Sequence, residues 1–248
     1  MANGPLTEFE ILQGTLSLTI TILGILIGLI IILKYFQYKR KELLGVGFAI
    51  LLTTLSWMPS GISFLSFIFS GVLLNDALYI FLAYGLTLFA TLAMMYAIIS
   101  LLFPKPAKKI ILVFLTVAIV FEVIFVYLIL FDLPLAGIVG TEAGRFDSEA
   151  GRIPLLMIII ALAVSLVIRI LLIREFSKSE NKKLQWRGRF ILIEFILLII
   201  GAFMDAALPL TAPILILART LLVLRLLFLY LGWLLPDRVA NWLIKEKE

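Results

Sequence analysis

Residues 9–41 read FEILQGTLSLTITILGILIGLIIILKYFQYKRK, an apolar run whose only charge is Glu10, closed by Lys34, Lys39, Arg40 and Lys41. A hydrocarbon core of roughly 30 Å is crossed by about 20 apolar residues in a helix rising about 1.5 Å each. The run is therefore long enough to cross a bilayer, and the basic cluster behind it marks a cytoplasmic edge. The same alternation repeats down the chain. It predicts spans at about residues 9–33, 43–72, 77–102, 110–131, 154–174, 188–207 and 213–235. A composition that is 63% hydrophobic, with a mean hydropathy of +1.17, lies far above that of a soluble domain. The expected fold class is an all-α membrane protein, a seven-helix transmembrane bundle forming a single domain over residues 1–248.

Basic residues fix the orientation. The odd connections carry Lys34, Lys39, Arg40 and Lys41, then Lys105, Lys108 and Lys109, then Arg174, Lys178, Lys182, Lys183, Arg187 and Arg189, whereas the even ones offer Arg145 and Arg152. Arg238, Lys245 and Lys247 in the tail fall on the same side as the odd loops. Short basic loops stay inside, so the N-terminus is expected outside and the C-terminus in the cytoplasm of a multi-pass cell-membrane protein. Glu8 and Glu10 stand where a signal peptide would be basic, so the first helix is expected to remain. The net charge of +5 is accounted for by this topology and by contact with anionic membrane lipids, not nucleic acid.

The chain contains no His and no Cys, which removes the usual general base, thiol nucleophiles, disulfides and the commonest zinc and haem ligands. No catalytic residue, cofactor site or metal site is expected. The acids of the segment from Asp132 to Arg152, Glu142, Asp147 and Glu149 among them, do not follow an EF-hand spacing. That Gly-rich segment is expected to be an irregular loop or short hairpin lidding the outer mouth.

Within the spans, Gly24 and Gly28 make a GxxxG step, and Ala90, Ala93 and Ala97 a small-residue stripe. Both read as close-packing faces, within the chain or across a dimer. The second span is interrupted at Trp57, Met58 and Pro59, where a kink is expected. The kink either opens a pocket toward the outer half, lined by Thr53, Thr54, Ser56 and Trp57, or is a bend with no site attached.

Charges at membrane depth are the sharpest signal, because each costs several kcal/mol unless paired or hydrated. Counted from the cytoplasmic end, Glu122 lies roughly 18 Å and Arg225 roughly 15 Å into their spans, making them one candidate pair. Glu194, roughly 9 Å deep, is the alternative partner for Arg225. Asp205 and Arg219 flank a short connection through Pro209 and Pro213 and should meet as antiparallel neighbours. Glu194 and Asp205 are about three turns apart and share a face. The five residues form a seam that serves as a switch, a ligand pocket or an ion path, or else as ion pairs fixing helix register. Arg169, one turn inside its span, is expected to snorkel. Trp233 and Tyr230 are expected at the inner interface, and Val239, Ala240, Trp242 and Leu243 in a short amphipathic helix on the membrane.

Seven helices with an outside N-terminus suggest a retinal protein, but the last span has no Lys for a Schiff base, and Arg219 and Arg225 cannot replace it. The segment Trp57-Met58-Pro59 and the ending Tyr230-Leu231-Gly232-Trp233-Leu234-Leu235-Pro236 resemble the prokaryotic, especially archaeal, seven-helix membrane sensor modules found ahead of histidine kinases. The resemblance implies a receptor-like or accessory module without enzymatic activity, acting alone, as a homo-oligomer or with a signalling partner protein. A small transporter or channel using the same seam, or a structural subunit of a membrane complex, are the competing readings.

Overall fold

The computed structural model describes residues 4–244, and of Ala206 and Ala207 the backbone alone; Lys245 and Lys247 of the basic tail lie outside the described residues. Helix α1 (Glu8–Tyr38) starts at a reciprocal cap, in which Glu10 N–H donates to the Thr7 hydroxyl and Thr7 N–H to the Glu10 carboxylate. It ends at Lys39, whose left-handed φ of 55° turns the chain. Helices α2 (Glu42–Thr54) and α3 (Met58–Ser70) follow, bent by 49° at the break between them. Pro59 lies in the first turn of α3, where a missing N–H loses no intrahelical bond, so it opens the second half rather than bending a continuous helix.

Asn75 caps α4 (Asp76–Ile80), which passes through a π-turn (Phe81–Gly85) into α5 (Thr87–Leu102). Then come α6 (Ala107–Phe131), the single turn α7 (Leu133–Ala136), strands β1 (Gly137–Thr141) and β2 (Gly144–Ala150), α8 (Arg152–Lys178), α9 (Lys182–Ala207), α10 (Ala212–Leu234) and α11 (Asp237–Ile244). Among the described residues five helical stretches are long and apolar enough to cross a membrane: α1, Asp76–Leu102, α6, α8 and α10. The bent pair α2 and α3 makes a sixth if it counts as one span. Of the seven expected spans α9 makes the difference: it carries four basic residues near its start and Glu194 and Asp205 further on.

The helices close into a ring. α1 packs on α2, α2 on α5, α5 on α8, α8 on α9, α9 on α10, and α10 returns to α1. α3 leans on α1, while α6 lies outside the ring against α5 and α8. Small residues set the tightest approaches. A methyl on Gly24 would strike Thr54, and one on Gly28 would meet Leu51 and the Gly47 carbonyl. Gly45 of α2 sits against Ala93 and Ala97 of α5 in the same way. Both small-residue faces thus pack within the chain. The outer surface is apolar: Val123, Leu130 and Phe131 of α6, Leu33 and Phe36 of α1 and Val167 of α8 are all exposed, as hydrocarbon solvent requires.

The segment expected as a loop or hairpin is a hairpin, β1 pairing antiparallel with β2. Its Phe146 is buried edge-on against Phe64 of α3, and Tyr79 of α4 donates to the Phe146 carbonyl at 2.6 Å. Arg145 pairs with Glu10 at 2.7 Å and lies over the Phe67 ring, so the hairpin ties together α1, α3 and α4. Asp147 accepts from the Thr141 hydroxyl, and burial pushes its carboxyl above the usual carboxylate range, an effect that bond only partly opposes.

At the opposite end α10 stops at Leu235, a left-handed residue with φ 33° set before Pro236. Buried Arg187 of α9 donates to the carbonyls of Gly232 and Trp233, both at 2.9 Å, satisfying the last turn of α10. Trp233, expected at an interface, is buried in the main core instead, because α9 and α11 cover the end of α10. α11 turns Val239, Ala240 and Leu243 onto Trp186 and Phe190 and leaves Trp242 outward.

Candidate functional site

α9 and α10 lie side by side along most of their length, and the seam is built where they meet. Glu194 stands near the middle of α9, with a side chain only 2% exposed. Its two oxygens face two arginines: Arg169 Nε of α8 donates to Oε2 at 3.3 Å, and Arg225 Nη1 of α10 approaches Oε1 at 3.7 Å. Three turns further along α9, Asp205 meets Arg219 Nη2 of α10 at 3.0 Å.

Trp57, at the break between α2 and α3, joins the two groups. Its indole Nε1–H donates to Asp205 Oδ2 at 2.9 Å, and its ring face lies 5.6 Å from the Arg225 guanidinium. One side chain at a helix break thus touches an acid of one cluster and a base of the other. Trp57 is the N-cap residue of α3, at the 49° break between α2 and α3.

The two clusters differ in charge. Asp205 and Arg219 cancel, whereas Glu194 is shared by two guanidiniums and leaves an excess of one positive charge among side chains that are all 6% exposed or less. The excess faces a cavity of about 110 Å³ inside the ring, bordered by Arg169, Arg225 and the hydroxyl residues Thr53, Ser56, Thr87, Thr91 and Ser165. Thr53 and Thr91 spend their hydroxyl protons on the carbonyls of Ala49 and Thr87.

Several expectations need correcting. Glu122 and Arg225 do not meet: α6 stands outside the ring, and the Glu122 carboxylate is buried beside Gly85 of the π-turn, with no hydrogen-bond partner among the described residues. Glu122 is therefore no part of the seam, which consists of Glu194, Asp205, Arg219 and Arg225 with Arg169 added. Arg169 does not snorkel; it is 5% exposed and stacks its guanidinium on Phe195. Of the expected pocket residues Thr53 and Ser56 border the cavity. Thr54 instead turns to Gly24 of α1, its hydroxyl bonded to the Ile50 carbonyl, and Trp57 reaches the cavity only through Arg225.

α8 runs to Lys178 rather than ending near 174, which places Arg169 more than two turns inside the helix. α9 begins at Lys182 rather than near 188, so Glu194 stands more than three turns inside the helix. Glu10, Arg145 and Arg187 carry the largest polar contacts that sequence reasoning passed over. The Thr7-x-x-Glu10 spacing is a capping-box signal and could have exposed the first of them. No group of three or more potential metal ligands occurs among the described residues. No protein-family profile and no curated protein matches the chain.

Proposed function

We propose that this chain is a receptor-like seven-helix membrane module without catalytic activity, its N-terminus outside and its C-terminus cytoplasmic, with α9 as the seventh span. It transmits a change of state through Glu194, Arg225, Trp57, Asp205 and Arg219. The supporting observation is Trp57 itself. A tryptophan seated at the only sharp helix break among the described spans bridges two buried ion clusters, so a shift in either cluster is felt at the α2–α3 bend. Packed interfaces of this kind change between discrete arrangements rather than deforming smoothly.

The bilayer supplies the surrounding partner, and any output passes to a second membrane or signalling protein or to another copy of the chain. Cysteine labelling tests the orientation without a competing native thiol. Ser148→Cys should react with an impermeant reagent on intact cells and Ser179→Cys only after permeabilisation; the reverse pattern contradicts the topology. A small transporter or channel is the second reading, favoured by the cavity lying at mid-length of the helices. Anion flux in proteoliposomes that vanishes with Arg225→Gln would select it over a receptor.

A further inference from the structure

The end of the bundle opposite the hairpin holds a second cavity, half-open and of about 240 Å³, bordered by none of the seam residues. It lies where α1 stops at Tyr38 and α10 at Leu234, and Tyr38, Arg40, Lys183, Arg187, Trp233 and Asp237 are among its walls. Three of these are cations, held very differently. Arg187 is fixed, since its Nε and Nη2 donate to the Gly232 and Trp233 carbonyls. Arg40 is not. Its guanidinium makes no hydrogen bond to any described residue, none of its nitrogens is closed off from solvent, and its approach to Glu42 is 3.9 Å long. Lys183 Nζ meets Asp237 at 2.7 Å, but the two side chains are 38% and 87% exposed, and so wet a pair is worth little.

Charge counting leaves a surplus. Arg40, Lys183 and Arg187 stand against Glu42 and Asp237, so one positive charge is unbalanced. α11 adds to it. The helix begins at the rim, and the N–H groups of Asp237, Arg238 and Val239 precede its first backbone bond, from Ala240 to the Pro236 carbonyl. Amides of a first turn favour an anion.

The surroundings select the anion. The last turns of α1 expose Leu33, Phe36 and Tyr38, so apolar surface runs down to the rim, and the exposed Trp242 of α11 lies at the same end. A phosphate carrying acyl chains can lay them against that surface, whereas a free anion gains nothing from it. Basic pockets between membrane helices take phospholipid headgroups in this way.

We infer that the Arg40–Lys183–Arg187 cavity is a headgroup site for an anionic phospholipid, whose phosphodiester oxygens accept from Arg40 and Lys183 with the fixed charge of Arg187 behind them. The single negative charge of the headgroup balances the surplus. The proposal needs the helices to cross a bilayer with this end at its surface, and it is independent of the receptor-like reading.

The test uses the full chain in a non-ionic detergent at about 0.15 M salt, where charges further apart than about 8 Å are largely screened. Phosphatidylglycerol, phosphatidylcholine and inorganic phosphate are the probes; retained lipid is counted by native mass spectrometry and stabilisation is followed by thermal unfolding. Phosphatidylglycerol should bind saturably, one per chain, and phosphatidylcholine, whose own cation meets the surplus charge, several-fold more weakly. Arg40→Gln should cost at least about fivefold in phosphatidylglycerol affinity, the worth of one basic residue at a membrane surface. Asp237→Asn removes a competing carboxylate and should tighten binding several-fold, a gain that covers the case in which Arg40→Gln does not fold. Lys108→Gln takes an exposed charge from the α5–α6 turn, outside the cavity, and should change affinity by less than about twofold.

Absence of a saturable preference for phosphatidylglycerol in the parent protein overturns the proposal. Equal losses in Arg40→Gln and Lys108→Gln do the same, because they would show diffuse attraction without a site. Inorganic phosphate that stabilises the protein as strongly as the lipid, and ceases to do so in Arg40→Gln, would make this a site for a free anion and overturn the lipid assignment.

Discussion

Replacing Asp205 by Asn removes the counter-charge of Arg219 while keeping an amide oxygen that still accepts from Trp57. Arg219 is 5% exposed and Asp205 16%, with 3.0 Å between them. Breaking a fully buried pair costs about 3–5 kcal/mol, chiefly because the remaining ion is left without its partner. The partial exposure of Asp205 puts this pair near the lower end, about 3 kcal/mol. For a chain of this length that is a fall of about 6–12 °C in melting temperature. Arg219→Gln alone should cost less, about 2 kcal/mol, since Asp205 retains the Trp57 hydrogen bond and some water. The double variant should lose no more than about 3 kcal/mol, because neither charge is then stranded, which gives a coupling of about 2 kcal/mol. Thermal unfolding of the four proteins in one detergent, followed by tryptophan fluorescence, measures the cycle. Losses additive to within about 0.5 kcal/mol would show that the two side chains do not sustain each other and would refute the reasoning.

Charge counting predicts that Glu194→Gln, which strands two guanidiniums, destabilises by about 3–5 kcal/mol, and that Arg169→Gln, which leaves Glu194 and Arg225 balanced, costs clearly less; the same unfolding assay checks the order. Gly24→Ala drives a methyl into Thr54 and should cost about 1–3 kcal/mol, most of it regained when Thr54→Ala is added; no relief would mean that α1 and α2 do not meet there. Burial raises the Asp147 carboxyl, so the hairpin tolerates its ionised form least. Its contribution is complete below the ordinary carboxylate range and is lost as pH rises through the raised folded value. Amide exchange over residues 137–150, corrected for intrinsic rates, should show protection falling with rising pH in the parent and no such fall in Asp147→Asn.

Hydropathy makes the membrane helices legible, since a run such as residues 9–33 has no other stable solvent. The pairing of Asp205 with Arg219 was legible too, because a short connection forces α9 and α10 together. Depth was not. Hydropathy places a span where charges stop, whereas α8 and α9 continue through charged residues to Lys178 and from Lys182, so Arg169 and Glu194 stand further from the helix ends than the apolar runs suggest. Glu122 was misplaced for another reason: equal depth cannot say which helices are neighbours, and α6 packs outside the ring that holds α10. Ring order depends on small-residue contacts such as Gly45 with Ala93 and Ala97, which a sequence displays without naming the partner helix.

In the proposed receptor-like function, the state of the buried acid is coupled to the position of the α2–α3 bend through Trp57. Spin labels at Ile68→Cys on α3 and Ile200→Cys on α9, both on exposed positions of a chain without native cysteine, report the distance between the two helices. Removing the acid shared by Arg169 and Arg225 through Glu194→Gln, which leaves two positive charges together, should move the distance distribution by about 2 Å or more, the scale of helix shifts between discrete packings. The shift should disappear in a Trp57→Phe background, where the ring remains under Arg225 but the bond to Asp205 is gone. A distance unmoved by Glu194→Gln, or moved equally with and without the indole N–H, would contradict the account.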